Sequence, residues 1–285
     1  MVAKRVVVVF KPIEAADARP LDGDPTLRTI AARRALARDE HAATVASIRA
    51  AVSRNGRDAL VCDHATAESL AAAELVVSVG GDGTFLHVAR LVTDQPVLGV
   101  NSSPSTSTGH YCAAAAADFP EQLDAILAGA LVPTPLVRIA ASVDGRPLPL
   151  ASLNDVLFAN VSPVASTRYA LRLGDETELQ LSSGLWVATA SGSTAAMRSA
   201  GGDVMALDDT RLQYLVREPC PDASGGPRLC HGYRADAIAL VSRSDRNALF
   251  LDGDERPWPV PLGAVARLTP AALPLLVYGY PPAHG

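Results

Sequence analysis

Long apolar runs are missing from this 285-residue chain, and none approaches the roughly 20 residues that a membrane-spanning helix needs. The apolar run Val6–Phe10 is also too short for the core of a secretion signal and reads as a buried strand. Cysteine is sparse. Cys62, Cys112, Cys220 and Cys230 form no C-x-x-C pair, so their spacing suits neither a zinc site nor a disulfide framework. Free thiols in a reducing compartment are the simplest reading, and a cytoplasmic location is expected. Aromatic residues make up only 5%, which leaves Ala, Val and Leu to build most of the core. Positive charge is not in excess: 25 basic residues stand against 30 acidic ones, with no block of like charge. That balance argues against nucleic-acid binding through a broad basic face. Two nucleotide-binding signatures are absent as well. Without G-x-x-x-x-G-K-[ST] the chain is not a P-loop protein, and without G-x-G-x-x-G a Rossmann dehydrogenase is disfavoured.

What is present is a globular composition, 48% hydrophobic and 19% charged, long enough for one large domain or two modest ones. The first part alternates strand-like and helix-like segments. Val6–Phe10, Ala59–Val61, Leu75–Val79 and Val97–Val100 are strand candidates. Between the first two, Val45, Ile48 and Val52 recur at helical spacing within residues 28–55, and Asn55-Gly56 is a helix stop. Phe85, Val88, Ala89 and Val92 mark a second helix. Asp118 and Glu121 have capping-box spacing ahead of Leu123, Ile126 and Leu127, with Gly129 as the stop. The Ala113–Ala117 run is a packed loop or a helix start. Such alternation predicts an α/β domain with a parallel sheet covered on both faces, over residues 1–132.

After Pro133 the texture changes to short strands in succession: Leu136–Val143, Leu153–Ala159, Tyr169–Leu173, Leu185–Ala190, Leu212–Val216, Ala237–Val241, Ala248–Leu251 and Val265–Leu268. Asp144-Gly145, Gly174-Asp175 and Asp252-Gly253 supply turn signals. A β-rich C-terminal domain over residues 133–270 is expected, with residues 271–285 returning to the first domain.

The chemistry concentrates in Gly80-Gly81-Asp82-Gly83-Thr84, between an apolar strand and a helix. In open α/β sheets this is where ligands bind. Three glycines let backbone N–H groups approach phosphate oxygens, and the helix N-terminus favours anions. Thr84 offers one more donor. A carboxylate amid these donors would repel an anion, so Asp82 makes sense as a base or an indirect partner of a metal ion. The structural alternative is a tight turn whose Asp82 caps the next helix.

This segment resembles the signature of the NAD kinases and of the related diacylglycerol and sphingosine kinases. Three further segments favour the NAD kinases: Gly99-Val100-Asn101, Leu153-Asn154-Asp155-Val156, and Thr189-Ala190-Ser191-Gly192-Ser193-Thr194-Ala195 followed by Ser199-Ala200-Gly201-Gly202. Their order and spacing agree over roughly residues 45–280. Gly109-His110-Tyr111-Cys112, Ser182-Ser183-Gly184-Leu185 and Arg217-Glu218-Pro219 are similar to elements of the mitochondrial and plant branch, the NADH-kinase-like type. Three departures stand out: Asp155 replaces a Glu, Ser183 replaces the carboxylate of common bacterial members, and Ala196 stands where many members have an aromatic residue.

The resemblance implies the NAD kinase/diacylglycerol kinase-like fold and ATP-dependent phosphorylation of the adenosine-ribose 2′-hydroxyl of NAD, or NADH, to NADP(H). It makes Asp82 the general base, with Gly80, Gly81, Gly83 and Thr84 on the donor phosphates. It places Asn101, His110, Asn154, Asp155, Ser183, Thr189, Ser193, Thr194 and Ala195 on the dinucleotide. Read alone, Asn154-Asp155 is a turn, Asn101 caps a turn, and Gly192-Ser193-Thr194 is an ordinary loop. Ser183 alone would satisfy a backbone group at a strand start, and Asp252-Gly253 fits both the family's DG turn and a hairpin. Mg²⁺ or another divalent cation is implied by nucleotide phosphates rather than by a ligand cluster. A homo-oligomer, dimer or tetramer, with no membrane partner, is expected. The alternative is a kinase of the same fold acting on another nucleoside, sugar or lipid hydroxyl.

Overall fold

A computed structural model describes residues 5–12, 24–54, 59–221 and 226–281. In chain order the elements begin with β1 (Val6–Phe10), α1 (Pro25–Ser53), β2 (Ala59–Cys62), α2 (Ala67–Ala71), β3 (Leu75–Gly80), α3 (Asp82–Leu91), β4 (Val97–Asn101), α4 (Phe119–Leu127) and β5 (Thr134–Leu136). Then come β6 (Ile139–Val143), β7 (Arg146–Ser152), β8 (Asp155–Asn160), β9 (Thr167–Leu173), β10 (Glu176–Ser182) and β11 (Gly184–Ala188). A 3₁₀ turn (Ser191–Thr194) and α5 (Ala196–Ser199) precede β12 (Leu212–Arg217), β13 (His231–Arg234), β14 (Ile238–Ser242), β15 (Asn247–Leu251), β16 (Trp258–Pro259), β17 (Val265–Pro270) and β18 (Leu275–Tyr278). The chain divides into two compact units, residues 1–135 with 275–285, and residues 136–274.

In the first unit the order is β2-β1-β3-β4-β18-β5, with β1, β2, β3, β4 and β18 joined by parallel pairings. Four consecutive valines make β1 stiff at χ1 and apolar on both sides, which is what a sheet buried on both faces requires. Val6, Val8, Val77 and Val79 pack with Val45, Ile48 and Val52 of α1 and with Phe119, Leu123 and Ile126 of α4. The opposite face meets α3: a Cβ on Gly99 would lie 3.0 Å from the Phe85 ring. Gly129, at φ +73, ends α4 with its N–H donating to Ile126 O and that of Ala130 to Ala125 O. The capping box expected at its start is not made. Asp118 is already in the helical region, φ −88 and ψ −17, from which its side chain makes no capping bond. Ala113–Ala117 is a loop that turns toward α4, with Ala114 bridged to Val100. Asn55-Gly56 lies outside the described residues.

The second unit holds two six-stranded sheets, β10-β9-β14-β17-β6-β7 and β13-β12-β11-β8-β15-β16, whose pairings are antiparallel. Alternate residues such as Phe158, Tyr169, Leu171, Leu185, Leu240 and Leu249 form one core. Phe158 of one sheet meets Tyr169 of the other edge to face at 5.3 Å. Asp144-Gly145 and Gly174-Asp175 are two-residue hairpin loops, closing Val143↔Arg146 and Leu173↔Glu176. The single strand expected at Leu136–Val143 is instead two, β5 and β6, in different sheets. The break falls at Arg138, which is buried, donates from its guanidinium to Leu273 O at 3.1 and 3.2 Å, and accepts at its own carbonyl from Ala271. No helix among the described residues is long and apolar enough to cross a membrane.

Candidate active site

In the first unit, β3 runs directly into the glycine segment, and Asp82 is the first residue of α3. Gly80 is glycine because a Cβ there would overlap the Thr84 side chain. A Cβ on Gly81 would press on Ser107 Oγ at 3.0 Å. Gly83 differs: nothing lies within 4 Å of the place its Cβ would take. The protein therefore has no packing reason to keep a helix-destabilising residue in the first turn of α3, and the space it leaves is open. The first N–H groups of α3 have no intrahelical acceptor and point out of its N-terminus.

Asp82 does not cap α3, which has no side-chain cap. Its Oδ1 accepts from the Tyr111 N–H at 2.9 Å. Tyr111 is stacked between Phe85, 5.1 Å away, and Tyr280, 5.3 Å away. His110 Nε2 lies 2.9 Å from the Tyr280 hydroxyl. Burial and the Asp82 charge push the Tyr280 hydroxyl up to about 12. The same two causes push the Cys112 thiol up to about 12, so this cysteine is no nucleophile near neutral pH. Asn101 is engaged in its own loop: its amide donates to Ser107 O at 3.0 Å and accepts from Ser103 N–H at 3.1 Å. This is the turn-capping alternative stated above.

The loop opens on a cavity of about 1130 Å³ in the same unit. Its cations are Lys11 after β1 and Arg34 and Arg38 on α1, beside the imidazoles of His41 on α1, His64 after β2 and His87 on α3; Asp63 and Asp82 bring carboxylates. Burial and nearby Lys11 hold His41 below its ordinary value, against a hydrogen bond to the Lys11 carbonyl. Sequence reasoning missed this lining. The legible signal was the i, i+4, i+7 spacing of Arg34, Arg38 and His41 on one helix face.

The second unit gathers another group. Thr189 Oγ1 donates to Leu153 O at 2.6 Å, and Thr189 N–H to Asn154 O at 3.0 Å. Ser193 Oγ donates to Ala190 O at 2.7 Å and accepts from Met205 N–H at 2.9 Å. Thr189 and Ser193 are fully buried, so they shape the loop. Asn154 and Ala195 are half-buried and Thr194 is exposed. Asp155 is buried, and burial followed by the nearby Asp252 charge pushes its carboxyl up to about 7. Ser183 is not brought to this group. Asp155 pairs with Ala188 at the end of β11, whereas Ser183 precedes its start, about 20 Å from Thr189 at the rise of a strand. Pairing a backbone group at that strand start falls to Ser182, whose hydroxyl accepts from Gly184 N–H. Among the described residues no three His, Cys, Asp or Glu side chains cluster as metal ligands.

Residues 28–131 match the family described as the ATP-NAD kinase N-terminal domain. An NADH kinase of Arabidopsis thaliana is 36% identical over 229 residues, 72% of either chain. The chain belongs to the NAD kinase family. A probable NADH kinase of rice is 40% identical over 204 residues, and the match spans 63% of each protein. An NAD kinase of Natronomonas pharaonis is 30% identical, covering 78% of this chain and 82% of that one. Two solved structures share the fold: the NAD kinase of Archaeoglobus fulgidus in complex with ATP (TM-score 0.68, 19% identity, 96% of this chain and 93% of that one) and yeast NADH kinase complexed with NADH (0.66, 15%, 97% and 83%). Within the NAD kinase family, then, the glycine segment and the Asn154 group lie in different structural units of this chain.

Proposed function

We propose that this protein transfers the γ-phosphoryl group of ATP to the 2′-hydroxyl of the adenosine ribose of NAD or NADH, forming NADP(H). The observation that carries the reading is the glycine segment entering the N-terminus of α3 at a cation-lined cavity, with the Asp82 carboxylate on its wall. In this scheme the N–H groups at the start of α3 and the side chains of Arg34, Arg38 and Lys11 hold the donor phosphates. Asp82 accepts the proton of the 2′-hydroxyl as the oxygen–phosphorus bond forms and the bond to the β,γ-bridging oxygen breaks, leaving ADP. The Tyr111 N–H holds one Asp82 oxygen and leaves the other for that proton. A divalent cation such as Mg²⁺ neutralises phosphate charge when bound. Asp63 on the cavity wall would suit it, since Mg²⁺ keeps most of its waters and takes one or two carboxylates beside phosphates.

Residues 1–132 thus serve the donor and residues 133–270 the dinucleotide, through Asn154, Asp155, Thr194 and Ala195. His110 and Asn101 act by shaping the loop beside Asp82. A cytoplasmic homo-oligomer completes the proposal.

Incubation of the pure protein with ATP-Mg²⁺ and a panel of NAD, NADH, nucleosides and diacylglycerol tests it, with NADP(H) measured by a coupled dehydrogenase. Phosphorylation of NAD or NADH is expected. Turnover confined to a nucleoside or to diacylglycerol would instead establish the alternative substrate class.

A further inference from the structure

Asp252 follows β15 and heads the Asp252-Gly253 turn that the sequence predicts. The two residues stand at φ +49 and +70, and the turn is closed by the Asp254 N–H on Leu251 O at 2.9 Å. It is not a tight hairpin, because β15 and β16 pair farther out, Leu249 with Trp258. Asn-Gly or Gly-Gly would serve such a turn equally well, so its geometry does not call for a carboxylate. The Asp252 carboxylate reaches elsewhere. Oδ2 accepts from Leu153 N–H at 3.0 Å, and Oδ1 accepts from Asn154 N–H at 2.8 Å and Asp155 N–H at 3.2 Å. The Asp252 N–H returns a bond to Asp155 O at 2.9 Å. These contacts join residues 97 to 99 positions apart.

The same segment is held from its carbonyl side by Thr189, as described, and by Gly192, where any Cβ would overlap the Asn154 main chain. Three successive N–H groups converging on one carboxylate fix the main chain of Leu153–Asp155, from which the half-buried Asn154 side chain projects. We propose that Asp252 is a positioning residue for the dinucleotide site, fixing the Asn154–Asp155 segment in the conformation that receives the substrate. This rests on the kinase reading above.

Asp252→Ala removes both acceptor oxygens and with them the bonds from all three N–H groups. Asp252→Asn keeps an oxygen for two of them but turns an NH₂ group toward the Leu153 N–H. In the full-length protein KM for NAD should rise at least about 10-fold in Asp252→Ala and roughly 3- to 10-fold in Asp252→Asn, with KM for ATP within about twofold of wild type. A merely structural role would lower the active fraction and leave both KM values alone. Amide hydrogen exchange gives a readout independent of activity. Leu153, Asn154 and Asp155 should lose protection in Asp252→Asn while the amides of β15 keep theirs. If Asp252→Ala does not fold, the Asn variant carries both measurements. Retained protection at the three amides, or KM values for NAD and ATP that stay level or rise together, would overturn the proposal. A wild-type protein inactive on both NAD and NADH would sink the kinase reading instead, and the exchange rates would still decide whether Asp252 holds the segment.

Discussion

Replacing Gly83 by alanine should make the protein more stable and less active. Gly83 is the second residue of α3, at a φ that any residue adopts, and no atom lies within 4 Å of the added methyl. Glycine in a helix costs about 0.5–1 kcal/mol relative to alanine, mostly through the freedom of the unfolded chain. The first turn is only partly constrained, so a gain near the lower end, about 0.5 kcal/mol, is expected, or a rise of roughly 1–2 °C in melting temperature. The same methyl would stand in the open space beside the first N–H groups of α3, where phosphate oxygens must approach to about 2.9 Å. Displacing a phosphate from even one charge-assisted contact costs about 1.5–3 kcal/mol, a rise in KM for ATP of roughly 10- to 150-fold. Thermal unfolding without nucleotide and initial rates against ATP concentration read the two effects separately. An unchanged KM for ATP would refute the assignment of Gly83 to the donor phosphates. A fall in melting temperature would refute the claim that packing places no demand on it.

Three further outcomes are expected. Asp82→Asn should keep the fold, because an amide oxygen can still accept from Tyr111 N–H, while kcat falls about 10²–10⁴-fold; near-normal turnover would end its role as the base. Asn154→Ala should raise KM for NAD far more than KM for ATP, and equal rises would show that Asn154 is structural. For Asp155 the folded value of about 7 lies above the ordinary 3.8, so the buried carboxyl contributes its stability when neutral: fully below about pH 4, and progressively lost as pH rises through 7. Asp155→Asn should therefore flatten the decline in stability between pH 4 and 7, and parallel pH profiles for wild type and variant in urea titrations would contradict the assigned cause.

The surroundings of Asp82 tie the C-terminal segment to the glycine segment. Tyr280 stacks on Tyr111, whose N–H holds the Asp82 carboxylate, and its hydroxyl meets His110. The loop beside Asp82 is thus held by a residue 170 positions later in the chain. The raised Tyr280 value keeps that hydroxyl protonated throughout the neutral range.

Much of this architecture follows from local sequence alone. Four valines in a row dictate a strand buried on both faces, Gly129 stops α4, and Asp144-Gly145 and Gly174-Asp175 turn hairpins, because each depends on the φ preferences and side chains of a few adjacent residues. The glycine segment was legible for the same reason: a strand, three glycines and a helix start are neighbours in the chain. Where long-range contacts compete with local preference, only the tertiary structure decided. β10 was missed because its pattern is inverted at a sheet edge, Leu179 and Leu181 facing out while Gln180 is buried. Leu136–Val143 reads locally as one strand, because nothing nearby in the chain announces that buried Arg138 bonds to Leu273, far along it. Asp118 is a local miss instead: it has the spacing of a cap, but the turn closed by its N–H on Ala115 O already holds its backbone in the helical region. The basic side chains and imidazoles of the cavity come from four separate places along the chain, Asp252 reaches back about a hundred residues, and Ser183 is carried away from Thr189 by the length of β11. Those distances are products of how the sheets assemble, and sequence spacing holds no measure of them.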